Sequence, residues 1–236
     1  MSELSIQTDR VELKVSDGST MAAYVARPSG AAKCPGIMIF QEAFGVNSHI
    51  RNVTDRVARE GFVGIAPELF HRTAPGFEGD YANFQPAMQH IRAMTTQGLE
   101  ADLRATFDWL ANFRQVNAEL IHAMGFCMGG RVSFLANSIL PLKSAISYYG
   151  GGIAPELLPR ASALHAPMLF FWGGKDQHIP PAQRRAVVDA LSAAGKPYIN
   201  VEFSEADHGF HCDERPSYHA RSARLAWGMT LEFVRS

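Results

Sequence analysis

Short apolar runs alternate along this chain with longer stretches whose apolar positions recur every three or four residues. Gly36-Ile37-Met38-Ile39-Phe40 reads as a buried strand, and Ile50, Val53 and Val57 after it share one helical face. Phe62 to Ala66 predicts the next strand, stopped by Pro67, and Leu99, Leu103, Phe107 and Leu110 form the stripe of a second strong helix. Strand Ile121 to Phe126, helix Met128 to Asn137, strand Ala145 to Tyr149, strand Pro167 to Trp172, helix Ala182 to Ala194, strand Ile199 to Phe203 and a last helix near Tyr218 to Val234 follow. Continuous apolar strands separated by helices predict an α/β fold with a mostly parallel sheet covered on both faces. Val11 to Val15 and Met21 to Ala26, joined by Asp17-Gly18, predict an antiparallel hairpin at one edge.

The pattern shows no repeat and no low-complexity linker, so a single domain over 1–236 is the simplest reading, with the irregular stretch 73–97 as a candidate cap segment. Composition then narrows the function classes. With 47% hydrophobic and 19% charged residues, the chain is an ordinary globular protein. A net charge of -1 without like-charge runs argues against nucleic acid or an anionic membrane surface as the main partner and says nothing about small substrates. The first ten residues show no basic segment followed by an apolar core, and runs such as Met168-Leu169-Phe170-Phe171-Trp172 are too short to span a bilayer. Cys34, Cys127 and Cys212 are an odd count without paired spacing, which fits a reducing cytoplasm.

The candidate chemistry centres on Gly125-Phe126-Cys127-Met128-Gly129-Gly130 between a predicted strand and helix. This is the nucleophile-elbow pattern with cysteine in the serine slot. The glycines are needed because the turn is tight, the helix start favours thiolate, and the Met128 N–H becomes an oxyanion donor. The plain alternative is a small buried cysteine filling space. A nucleophile needs a base and an orienter. Gly173-Gly174-Lys175-Asp176 and Asp207-His208-Gly209-Phe210 follow later strands, so Asp176 and His208 fall in the order acid then histidine. Singly, Asp176 could be a turn residue and His208 a surface histidine. A metal site built from His178, His208, His211, Cys212 and Asp213 competes, although its spacing matches no specific motif. No cofactor is called for.

Cys127 in its elbow, Gln41-Glu42-Ala43-Phe44-Gly45, Gly173-Gly174-Lys175-Asp176 and His208-Gly209-Phe210 together resemble the dienelactone hydrolase family from about Met21 onward. The resemblance implies an α/β-hydrolase fold, a Cys127-His208-Asp176 triad and ester or lactone hydrolysis through a thioester. It also implies that Glu42 contacts the resting thiol until substrate displaces it, and that the Ala43 N–H is the second oxyanion donor. A carboxylate there would hold the thiol neutral; the alternative is that Glu42 caps a turn. The family's two carboxylate-binding arginines are missing: Cys212 stands in one slot and 81–89 contains no arginine, with Arg72, Arg92 and Arg215 off-register. Without that clamp a free substrate carboxylate loses its charge-assisted bonds. Phe44, Phe77, Tyr149, Trp172 and Phe210 near the predicted strand ends suggest an apolar wall for neutral activated esters, with phosphotriesters as a further class. A ligand-binding protein on the same fold and a thiol redox sensor are the readings from other classes.

Overall fold

β1 (Ile6–Lys14) and β2 (Thr20–Pro28) open the chain as an antiparallel pair with Leu13 opposite Met21. Their turn is set by local chemistry: Asp17 Oδ1 accepts the Ser19 N–H at 3.0 Å, and Gly18 takes φ +87°, a left-handed state open to glycine. The computed structural model describes residues 4–30 and 32–236. The reading of the N-terminus as leaderless rests partly on residues 1–3, which lie outside them. The chain divides into two compact units, Met1–His122 and Ala123–Ser236.

In the first unit β2 pairs antiparallel with β4 (Val63–Pro67), and β4 pairs parallel with β3 (Cys34–Phe40). α1 (Ser48–Arg59) buries Ile50, Val53 and Val57 as its stripe requires, and it packs on β2 and β4. Asn47 caps it by accepting the Ile50 N–H at 3.2 Å. α2 (Gln85–Ala93) and α3 (Thr96–Asn112) follow. The 73–97 stretch thus holds a helix that its Pro and Gly content concealed. Pro86 sits in the first turn, where no intrahelical N–H is required.

β5 (Val116–Phe126) contains the division and contributes residues to both units. The second unit continues with α4 (Met128–Ile139), β6 (Ser144–Tyr148), β7 (Met168–Gly173), α5 (Pro181–Ala193), β8 (Tyr198–Phe203) and α6 (Ala220–Arg235). β6, β7 and β8 pair parallel, and the strands run in the order β1-β2-β4-β3-β5-β6-β7-β8. β4, β6 and β7 are buried along their whole length, which is why they read as unbroken apolar runs. The hairpin lies at one edge of this eight-stranded, mostly parallel sheet, as its sequence predicts, and the class is α/β. Among the described residues no helix is long and apolar enough to cross a membrane.

Candidate active site

The second unit brings Cys127, His208 and Asp176 together at strand ends. β5 stops at Phe126 and α4 starts at Met128, leaving Cys127 alone at the corner with φ 53° and ψ -118°. A left-handed φ on a residue with a side chain is strained. The corner is held from outside: the Cys127 N–H donates to Tyr148 O at 3.0 Å, and its carbonyl accepts from Gly130 N at 2.9 Å. Gly125 has no room for a side chain, since a Cβ there would run into the Gly129 carbonyl. A Cβ on Gly130 would lie 2.7 Å from the Gly150 Cα. The flanking glycines are therefore dictated by the close approach of strand and helix. Cys127 remains partly accessible while Phe126 beneath it is fully buried.

β7 delivers the acid. Asp176 Oδ1 accepts the N–H groups of His178 (2.8 Å) and Ile179 (3.2 Å), which leaves Oδ2 to meet His208 Nδ1 at 2.8 Å. Arg184 on α5 steadies the strand end by donating to Gly173 O at 2.5 Å. The other side of the His208 ring takes a hydrogen bond with the Cys127 sulfur. The imidazole is boxed by Tyr149 and His178, with ring centroids 5.2 Å and 5.1 Å away.

Electrostatics follow from this chain of contacts. Burial is the largest single influence and disfavours the His208 imidazolium; the charge on Cys127 opposes it but does not outweigh it alone. Hydrogen bonds to Asp176 and Cys127 and the Asp176 charge add to that, and the group is pushed up to about 10. Burial would likewise raise Asp176. The hydrogen bond and charge of His208, the His178 N–H and the His178 charge together bring it below the usual carboxylate value. The imidazole is thus bracketed by the Asp176 carboxylate, which fixes its tautomer, and by the Cys127 sulfur on its other side, which is the arrangement a nucleophile–base–acid relay requires.

The other expected residues separate by environment. Tyr149 (φ 38°) and Phe210 are fully buried, with ring centroids 5.3 Å apart. Trp172 belongs to packing rather than a substrate wall: it stacks on Phe170 (5.6 Å, 6°) and donates to Asn200 Oδ1 at 2.6 Å. The metal constellation is not gathered as a ligand cluster among the described residues. Its His208 Nδ1 is given to Asp176, and its His211 packs among Phe126, Tyr148 and Trp227. Met128 opens α4, so its N–H lies in the first turn.

In the first unit Glu42 and Ala43 are both 1% exposed on the loop after β3. Gln41 anchors that loop by accepting the Leu69 N–H at 3.0 Å, and the Gly79 N–H donates to Phe44 O at 3.0 Å. Phe44 and Phe77 sit in one aromatic cluster: Phe44 lies 4.5 Å from Tyr81, and Phe77 lies 4.9 Å from His90. Of the off-register arginines, Arg72 is committed to structure, bidentate to Asp102 (2.8 Å each) and bonded to Asp17 (2.7 Å). The Arg215 guanidinium lies against Gly209, next to His208.

Sequence reasoning missed Asp102, which is 1% exposed and also bonds His71 Nε2 at 3.0 Å. The signal was present: Asp102 interrupts the buried stripe of Leu99, Leu103, Thr106 and Leu110. A carboxylate on a core face demands partners.

A family model described as "Dienelactone hydrolase family" matches residues 21–236. A Synechocystis sp. protein provisionally named a carboxymethylenebutenolidase is 36% identical over 88% of each chain. The carboxymethylenebutenolidase of Pseudomonas putida is 29% identical over 96% of each. Among solved structures, a Klebsiella pneumoniae protein provisionally named a dienelactone hydrolase superposes with a TM-score of 0.90 at 31% identity, covering 98% of this chain and 99% of that one. A dienelactone hydrolase-like promiscuous phosphotriesterase from metagenomic libraries shares the fold, with a TM-score of 0.83 at 20% identity over 97% and 98% of the two chains. The chain belongs to the dienelactone hydrolase family. It is an α/β-hydrolase-fold enzyme that acts on ester bonds.

Proposed function

We propose that this protein hydrolyses neutral, activated esters and lactones through a thioester on Cys127. The observation that carries the reading is the continuous hydrogen-bonded path from the Cys127 sulfur through His208 to Asp176 at a strained strand-to-helix corner. His208 takes the thiol proton, and the thiolate adds to the substrate carbonyl. The resulting oxyanion is stabilised by the Met128 N–H and, following the family pattern, by the Ala43 N–H. Each such donor contributes about 3–4 kcal/mol. The carbonyl re-forms as the C–O bond breaks, and the imidazolium protonates the leaving oxygen. His208 then removes a proton from water, which adds to the thioester and releases the acid and the thiol. Thiolate leaves a tetrahedral adduct more readily than alkoxide, so good leaving groups such as enolates and phenolates are favoured over amines.

Following the same pattern, Glu42 restrains the resting thiol. Glu42→Gln should raise the thiolate absorbance at neutral pH, and an unchanged absorbance removes the gate. The preference for uncharged substrates rests on the missing arginine pair and on Arg72 being held by Asp102 and Asp17. Phenyl esters should exceed dienelactone in kcat/KM, and the reverse ranking refutes the neutral-substrate reading. Phosphotriesters enter as a second class because the same thiolate can attack phosphorus and expel an aryl oxide; phosphotriester turnover by the wild type, lost in Cys127→Ala, is the expected sign. The central test is mass spectrometry during turnover of an aryl ester. A transient acyl adduct on Cys127, absent in Cys127→Ala, is expected; turnover that survives Cys127→Ala overturns the mechanism.

A further inference from the structure

The two ends of the sheet are built differently. β1 carries Asp9, Arg10, Glu12 and Lys14 on an exposed strand, which is how an edge is kept from pairing with another chain. β8 ends the opposite side with a single charge, Glu202, drawn 3.5 Å from Arg184. Its even-numbered residues face α5: Tyr198 Oη lies 2.9 Å from Ser192 Oγ, and Glu202 meets Arg184. Ile199 is 45% exposed and shares a shallow groove with α6.

α6 continues that surface as two parallel rows. Leu225, Met229 and Phe233 stand at i, i+4 and i+8, with Leu225 47% and Met229 37% exposed. Beside them Arg224, Gly228 and Glu232 form a second row with the same spacing. A side chain built on Gly228 would meet no atom within 4 Å, so the helix backbone is open to close approach there. The charges are symmetric about Gly228, one cation a turn before it and one anion a turn after it. Neither Arg224 nor Glu232 forms an ion pair among the described residues. A surface carrying opposite charges at equal distances from a small central residue is its own complement under a two-fold rotation.

We propose that β8 and α6 form a two-fold interface with a second copy of this chain. α6 crosses its symmetry mate antiparallel at Gly228, so that Arg224 of each copy meets Glu232 of the other and Leu225 meets Phe233. The same axis brings the two β8 edges alongside each other, away from the charged β1 edges.

Sedimentation equilibrium of the full chain at micromolar concentrations tests this. The wild type should be dimeric, and Met229→Glu should weaken the dimer at least about 100-fold by placing two carboxylates at the crossing. Arg224→Glu and Glu232→Arg should each weaken it roughly 10-fold, while the double exchange restores it to within a few fold, because only a two-fold register makes the exchange self-consistent. All these positions are exposed, and unchanged circular dichroism confirms folding. Gly228→Cys should cross-link to a covalent dimer on mild oxidation, whereas the wild type does not. A wild-type monomer throughout the range, or a dimer indifferent to Met229→Glu, overturns the interface. Single reversals without effect overturn the register.

Discussion

The two compact units hold their functional loops by different means. In Ala123–Ser236 the Cys127 corner is fixed by backbone: main-chain hydrogen bonds to Tyr148 and Gly130, with glycines where strand and helix leave no space. In Met1–His122 the chain entering the 73–97 stretch is fixed by side chains, with Asp102 gripping His71 and Arg72. Backbone contacts do not depend on residue identity except where a side chain will not fit. A charged cluster depends on every member. The first device fixes where the Cys127 side chain stands, and the second fixes the root of the 73–97 stretch.

The contrast can be broken most severely through chemistry. Asp176→Asn keeps the shape of the acid loop but withdraws the charge that orients His208. A loss in kcat of roughly 10³–10⁴-fold is expected with little change in KM, measured on an aryl ester. Gly125→Ala attacks the backbone device directly. The new methyl must displace the Gly129 carbonyl, and destabilisation of more than about 3 kcal/mol in urea unfolding is expected. Asp102→Asn attacks the side-chain device. Because Arg72 is about one-third exposed, the expected cost is only about 1–2 kcal/mol. Limited proteolysis should cut near 73–97 faster while kcat falls less than tenfold.

The last test is the pH dependence of stability. The folded His208 is raised to about 10 from an unfolded value near 6.5. Its contribution is complete below about pH 6.5 and disappears as pH rises through about 10. Asp176 is depressed, so its contribution holds above about 3.9 and fades as pH falls through its lower folded value. Denaturation midpoints of the wild type should therefore drop more between pH 7 and 10 than those of Cys127→Ala, in which the charge that most raises His208 is gone.

Much of this was legible in the chain because the informative residues are punctuation. The apolar runs of β4, β6 and β7 are unbroken since both faces are covered, and Gly125 and Gly130 flank a turn that admits nothing larger. The order Cys127, Asp176, His208 could be read because each follows a strand end. What stayed hidden was decided by tertiary partners. α2 lay under Pro86 and its neighbours, and Trp172 resembled a site aromatic until Asn200 and Phe170 claimed it. Asp102 was overlooked because periodicity counts apolar positions and is silent about a carboxylate among them. The exposed stripe on α6 has the same period as a buried one, so spacing alone could not tell a core face from a bare one.

The strained corner at Cys127 also bounds what protein engineering can change here. Its main-chain path is specified by neighbours that accept no added bulk, while the atom it presents is specified by nothing but residue choice. Exchanging sulfur for oxygen therefore changes the chemistry on offer without asking the scaffold to move, whereas relocating that side chain by a single residue would require rebuilding the strand, the helix and the bend between them.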